Sequence, residues 1–252
     1  MKLKIMSFNL QNKGVAPNNW EARCEALSSL IKKYDPDVIG MQEVGPHWME
    51  WFKKSIPAWE GIGVHRNGDG TGEASPVFYK KGKFSLLASE TFWLSETPNE
   101  PVHGWDAACR RVCTHITLQS KRGKQFAVAN THLDHKGPLA KKNGGAMVKN
   151  VLTSYDIPAF LTGDFNVNET TDVYKSMIDD KVGNAKYLAK IFDVDNTFNG
   201  FGNVKSPDDT VIDHIFVLKK KMKVHSYKVI TEKMENGNYI SDHYPIMAVV
   251  EF

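Results

Sequence analysis

Residues 160–169 read FLTGDFNVNE. The first two residues have the character of a buried strand, and the chain turns polar within one step at Thr162-Gly163. Asp164 and Asn166 then stand two apart with Phe165 between them. Strand alternation would put the carboxylate and the carboxamide on one face and the phenylalanine on the other. Phe165 would then anchor the strand end in the core while the polar pair faces a pocket. Gly163 would let a neighbouring backbone approach with no side chain in the way.

The same pattern recurs along the chain. Residues 2–8 predict a strand ending in Asn9. Over 20–34, Trp20, Cys24, Leu27, Leu30, Ile31 and Tyr34 fall on one helical face, and Asp35-Pro36-Asp37 stops that helix. A short buried strand at 38–41 runs into Gln42-Glu43. Further strands are predicted at 75–79, 84–87, 112–118 and 126–130, the last running into Thr131-His132. Pro138 can open a second helix, with Met147, Val148, Val151, Leu152 and Tyr155 as its apolar face. Asp156-Ile157-Pro158 stops it before a strand at 159–162, and strands at 212–218 and 246–252 follow. Each half thus has a strand ending in a polar residue, a helix crossing back, and a strand ending in an acid. No repeat of fixed period accompanies this symmetry, and no Gly/Ser/Pro-rich linker divides the chain. One domain over 1–252, an α/β or α+β sandwich, is expected.

The 252 residues are 41% hydrophobic and 24% charged, the profile of a globular chain with a sizeable core. No apolar run approaches the ~20 residues of a membrane helix. The start, MKLKIMSFNLQNK, has no apolar stretch long enough for a signal-peptide core, so a cytoplasmic location is expected. Cys24, Cys109 and Cys113 form no CxxC and have no His cluster beside them in sequence, which argues against a disulfide framework or a zinc site. A net charge of +3 is compatible with a polyanionic or phosphorylated partner without requiring one.

The polar residues that end the predicted strands are Asn9, Glu43, His132, Asp164, Asn166, Asp213, Asp242 and His243. Singly, each is a turn residue, a cap or a hydrogen-bonded structural histidine. Converging, they make a pocket of carboxylates with two imidazoles. Clustered carboxylates repel and are desolvated. A hard divalent cation removes that penalty, and oxygen donors without cysteine favour Mg²⁺ or Mn²⁺ over zinc. The histidines fit better as donors to a phosphate oxygen or as proton-transfer groups.

SFN (7–9), MQE (41–43), NTHL (130–133), GDFN (163–166), IDHI (212–215) and SDHYP (241–245), in this order, resemble the endonuclease/exonuclease/phosphatase superfamily. The resemblance implies a DNase I-like, four-layered α/β/β/α sandwich of two facing mixed sheets, and a Mg²⁺-dependent phosphoesterase. It makes Glu43, Asn9 and Asp242 the metal ligands. Asp164 becomes the residue that orients and deprotonates water, and Asn166 its partner or the holder of the scissile phosphate. His132 becomes a donor to phosphate or leaving group, and His243 a phosphate contact with Asp213 fixing its tautomer. Glu73 resembles a glutamate that pairs with the His132 position in the deoxyribonuclease branch. The segment FWLSETPNEPVHGWDAACRRV (92–112) is similar to a bacterial subgroup, in which Trp93, Trp105, Arg110 and Arg111 would stack on or clamp a substrate.

The TVIDH at 210–214 departs from the abasic-site repair branch, and VNE at 167–169 departs from the inositol 5-phosphatases. The expected function is a phosphodiesterase or nuclease acting on a nucleic acid or nucleotide as a monomer. The alternatives are a phosphomonoesterase for sugar phosphates or lipid headgroups, and an inactive binding module, which would lack Glu43, Asp164, Asp213 or His243.

Overall fold

The computed structural model describes residues 1–12, 20–204 and 210–252. In chain order the elements are β1 (Lys2–Asn9), α1 (Trp20–Tyr34), β2 (Val38–Gln42), α2 (Pro46–Ser55), β3 (Trp59–Ile62), β4 (Val77–Lys80), β5 (Phe84–Trp93), β6 (Val112–Ser120), β7 (Gln125–His132), α3 (Pro138–Thr153), β8 (Ala159–Asp164), α4 (Asp172–Met177), β9 (Val182–Asn184), α5 (Ala185–Leu188), β10 (Ile191–Phe192), β11 (Asp213–Leu218), β12 (Lys223–Val229) and β13 (Ile246–Glu251). They build a seven-stranded sheet, β10-β12-β13-β1-β2-β4-β3, and a six-stranded sheet, β5-β6-β7-β8-β11-β9.

Both sheets are mixed. β1 runs parallel to β2 and β7 runs parallel to β8. A parallel pair needs a crossover, and α1 and α3 supply one in each sheet. The two sheets face each other across a core that includes Leu3, Ile5, Val38, Val128, Phe160, Ile215 and Ala248. A second cluster lies under α1 and α2 (Leu27, Ile31, Trp48 and Phe52 against Phe8, Ile39 and Phe78). A third lies under α3 and α4 (Val148, Leu152 and Met177 against Ala129, Leu161 and Phe216). Helices therefore flank both outer faces, which is the expected α/β/β/α sandwich.

The predicted face of α1 buries Cys24, Leu27, Leu30 and Ile31, and it buries Arg23 as well. α3 buries Val148 and Leu152 of the predicted face together with two glycines, Gly144 against Leu133 and Leu94 and Gly145 against Val173 and Met177. Strand β5 is longer than the predicted 84–87, because most of it is an exposed edge without apolar alternation.

The topology sets the site. β1, β2, β7 and β8 end at one edge of the sandwich, and β11, antiparallel to β8, begins there. Asn9 pairs with Gln42, His132 with Asp164, and Asp164 with Asp213 across the ladders.

Candidate active site

Asn9 sits at the centre of the edge. Its Nδ2 donates to Glu43 Oε1 at 3.2 Å and to Asp164 Oδ2 at 2.9 Å, joining the two sheets. Its Oδ1 accepts the Gln11 backbone N–H. Glu43 follows β2 directly and takes the left-handed region, φ +57. Gln11 (φ +48) and Asn166 (φ +51) do the same. For a residue other than glycine or asparagine this costs about 1–2 kcal/mol, so the backbone at this edge is held by its contacts rather than by local preference. The Asn12 backbone N–H donates to Glu43 Oε2, and Gln11 Nε2 donates to Asp242 Oδ2 at 3.0 Å. Burial, with Glu73 and Asp242 nearby, pushes the Glu43 carboxyl up.

Asp164 and Asn166 reach the pocket, but not by strand alternation as the sequence suggested. The strand ends at Asp164, and Asn166 turns back through its left-handed backbone. The Asp164 Oδ1 accepts the Asn166 N–H, a local turn that asparagine tolerates well. Asn166 Nδ2 then reaches Leu133 O at 3.0 Å and His132 Nε2 at 2.9 Å. Asp164 Oδ2 lies 3.3 Å from the same nitrogen. Burial, followed by Arg111 and His243, holds the His132 pKa well below its usual value. Phe165 is fully buried and Gly163 lies against Thr131 O, as expected.

His243 is the opposite case. Its Nδ1 lies 2.8 Å from Asp213 Oδ2 and its Nε2 3.6 Å from Asp164 Oδ2. Burial alone would favour the neutral ring, but Asp213 and Asp164 outweigh it and raise the pKa to about 10. The two carboxylates thus favour the protonated ring. Burial, reinforced by Asp213 and opposed by His243, raises the Asp164 carboxyl.

Asp164, Asp213 and His243 offer ligand atoms within 4.8 Å of one another, a group able to hold a metal ion. Both nitrogens of His243 already face carboxylates, however, which suits that trio better to holding a proton. The oxygen-rich side is formed by Glu43, Asn9 and Asp242. There Gln11 Oε1 is a buried acceptor with no partner among the described residues, and burial followed by Glu73 disfavours the Glu43 charge. This donor set fits a hard divalent cation.

The opposite wall carries three guanidinium groups and two carboxylates. A small cleft is lined by Glu43, Arg66, Glu73, Ala74, Ser75, Arg110, Arg111, Val112 and His132. Arg111 is held by Asp134 at 3.8 Å and by His135 Nδ1 at 3.3 Å, and Arg110 donates to Asn67. Burial would raise the Asp134 carboxyl, but N–H donors from Gly137, Lys136 and Cys109 outweigh it and hold it down to about 2, so it stays an anionic anchor. The Nε atoms of Arg110 and Arg111 are buried without hydrogen-bond partners among the described residues.

The structure thus gathers Asn9, Glu43, Glu73, Arg110, Arg111, His132, Asp164, Asn166, Asp213, Asp242 and His243. Glu73 is a correction. It pairs with Arg66 at 2.5 Å and accepts from Asn12, while His132 Nε2 is engaged by Asn166 and Asp164. Trp105 is half-buried, bonds Glu96 through its backbone N–H and lies outside the cleft lining. Trp93 is structural, its Nε1 donating to Arg66 O. Gln11, Arg23 and Arg66 were not foreseen. The fully buried Arg23 bonds Leu10 O, Gln11 O and Ile240 O, tying the end of β1 to the strap before Asp242. Its position, three after Trp20 and four before Leu27, was the available signal.

Comparison with known proteins agrees with this geometry. A mannosyl-6-phosphatase of Bacteroides thetaiotaomicron is 30% identical, with 99% of this chain and 100% of that one covered at TM-score 0.91. An endonuclease/exonuclease/phosphatase from Bacteroides vulgatus is 34% identical, with 100% and 99% covered at TM-score 0.92. Human nocturnin is 24% identical over 92% of this chain, and the chain spans 58% of nocturnin's length. The sequence profile described as Endonuclease/Exonuclease/phosphatase family matches residues 6–243, a span that takes in every polar strand end from Asn9 to His243. The chain belongs to the endonuclease/exonuclease/phosphatase family and is a phosphoesterase of that family.

Proposed function

We propose that this phosphoesterase is a Mg²⁺-dependent phosphomonoesterase for phosphorylated sugars, the alternative reading of the sequence rather than the diesterase or nuclease first expected. The observation that carries it is the pair Arg110 and Arg111 in a narrow cleft beside His132, where Arg66 is already paired with Glu73. A monoester is a dianion at neutral pH and needs more positive charge than a singly charged diester. The whole-length similarity to a mannosyl-6-phosphatase supports the same choice.

Glu43, Asn9 and Asp242 would hold the Mg²⁺ ion (Mn²⁺ as substitute), which polarises a phosphoryl oxygen and offsets transition-state charge. Asp164, oriented by Asn9 Nδ2 and the Asn166 N–H, takes the proton of the attacking water as the phosphorus–oxygen bond to the sugar breaks, and the departing alkoxide takes up a proton from solvent. The His243 imidazolium, fixed by Asp213, donates from Nε2 to a phosphoryl oxygen. Asn166 and neutral His132 set the near edge of the phosphoryl site, and Arg110 and Arg111 bind its second charge. The test is phosphate release from a panel of hexose 6-phosphates, with bis-p-nitrophenyl phosphate and single-stranded DNA as diesters. Turnover of sugar phosphates that is lost in Asp164→Asn supports the reading, and turnover of diesters alone overturns it.

A further inference from the structure

The inward faces of four strands share one progression. β1 presents Leu3, Ile5, Ser7 and Asn9, β2 presents Val38, Gly40 and Gln42, β7 presents Phe126, Val128, Asn130 and His132, and β8 presents Phe160, Thr162 and Asp164. The lower residues belong to the apolar core between the sheets. The next level up is polar and completely buried: Ser7, Gln42, Asn130 and Thr162 each have no exposed surface. The catalytic groups stand directly above it. A buried polar layer in a core that could be apolar calls for a reason beyond stability.

Asn130 carries the bonds that cross between the sheets, while Thr162 holds Asn130 within the six-stranded sheet and Ser7 meets Gln42 within the seven-stranded one. Asn130 Oδ1 accepts from Gln42 Nε2 at 2.7 Å and from Thr162 Oγ1 at 3.0 Å. Asn130 Nδ2 donates to Met41 O at 2.7 Å and Pro76 O at 2.9 Å. All four hydrogen-bonding positions of that carboxamide are used. Gln42 Nε2 also reaches Ser7 Oγ at 3.2 Å. Gly40 makes the room: a Cβ there would lie 2.0 Å from Thr162 Oγ1 and 2.6 Å from Asn130 Oδ1. We infer that the Gln42–Asn130–Thr162 layer is a positioning device. It fixes the seven-stranded sheet, which carries Asn9 and Glu43, against the six-stranded sheet, which carries His132 and Asp164. Apolar side chains between sheets resist separation but hardly resist sliding. Directional bonds fix the offset, and the groups that must converge on one phosphoryl come from both sheets. None of the layer residues touches substrate. They act through the residue one or two positions further along each strand.

The inference rests on the phosphoesterase reading of the site but not on the monoester preference. Its test compares Thr162→Val, which keeps the shape and removes the hydroxyl, with Thr162→Ser, which keeps the hydroxyl. Gln42→Met serves as an independent second variant. With p-nitrophenyl phosphate, kcat of Thr162→Val should fall about 10-fold with KM within about 2-fold, since small misplacements of reacting groups cost rate rather than binding. Thr162→Ser should recover most of that loss. Histidine-ring ¹H–¹⁵N spectra of the substrate-free protein give a readout independent of turnover, and the His132 and His243 signals should move in Thr162→Val and Gln42→Met. If both variants melt at lower temperature yet keep kcat and ring signals, the layer is merely structural and the inference fails. If the wild type turns over no phosphoester, the proposed reaction fails, and the ring spectra still decide the positioning role.

Discussion

The imidazole of His243 and the carboxylate of Asp213 form a buried pair, Nδ1 to Oδ2 at 2.8 Å, and Asp213 Oδ1 has no hydrogen-bond partner among the described residues. Asp213 begins β11 and His243 lies in the strap before β13, so the pair joins the two sheets at the catalytic edge. Paired groups that act as a unit are not additive on removal. Asp213→Asn and His243→Gln should each lower kcat by roughly 10³-fold, and the double variant should be no more than a few-fold worse than either. Steady-state kinetics of the three variants check this. A fully multiplicative loss would mean separate roles.

The same pair sets a pH dependence of stability. The His243 pKa, raised to about 10 by Asp213 and Asp164 against the effect of burial, lies above its unfolded value of about 6.5. The folded state then binds the proton more tightly. The stabilisation is fully present below about pH 6.5 and is lost as pH rises through about 10. In chelated protein, Tm should fall between these limits, and His243→Gln should flatten the fall. Parallel Tm–pH curves for the two proteins would contradict the assignment.

Arg111 lies beside His132 in the cleft, its Nε 3.8 Å from Asp134 Oδ2 and its Nη2 3.3 Å from His135 Nδ1. Arg111→Met should lower kcat/KM for monoesters by about 10²-fold, the order expected for one transition-state donor, and lower it less for diesters. Lysine should rescue poorly, because its point charge cannot reproduce the guanidinium fork. Equal losses on both substrate classes would make Arg111 structural.

Divalent-cation binding should be readable without turnover. Saturating Mg²⁺ or Mn²⁺ should raise Tm of the wild type, because a ligand that binds only the native state stabilises it by mass action. Glu43→Gln should abolish most of that rise. It should also leave the chelated protein as stable or more so, since the Glu43 charge is disfavoured by burial and by Glu73. A cation-induced rise that survived Glu43→Gln but vanished in Asp213→Asn would move the ion to the Asp164–Asp213–His243 group.

Arg23→Met should destabilise by about 3 kcal/mol or more, because it strands the buried carbonyls of Leu10, Gln11 and Ile240. Chemical denaturation gives the value. Loss of activity beyond the unfolded fraction is also expected, since Gln11 and the strap carrying Asp242 lose their common tie.

The sandwich and most of the site were legible because both follow from short-range pattern. Helix periodicity at Cys24, Leu27 and Ile31 and the polar ends Asn9, His132 and Asp164 need no tertiary knowledge. What escaped depends on geometry that residue types do not encode. Asn166 reaches His132 through a left-handed backbone that alternation cannot predict. Glu73 turned to Arg66, seven positions away, because a loop folds back on itself. Helix α2 was missed although Pro46 opens it and Trp48 and Phe52 share its buried face. Arg23 was passed over because a charged residue on an apolar helical face reads as an interruption. The polar residues beneath the site were quoted within the motifs SFN, MQE and NTHL but read only as approaches to the catalytic ones.

The most direct measurement is the ratio of kcat/KM for p-nitrophenyl phosphate to that for bis-p-nitrophenyl phosphate, with saturating Mg²⁺. The leaving group is the same and only the charge and bulk on phosphorus differ. The proposed monoesterase, with Arg110 and Arg111 lining its cleft, predicts a ratio well above one in the wild type that falls toward one in Arg111→Met. A wild-type ratio below one would contradict it and return the protein to the phosphodiesterases.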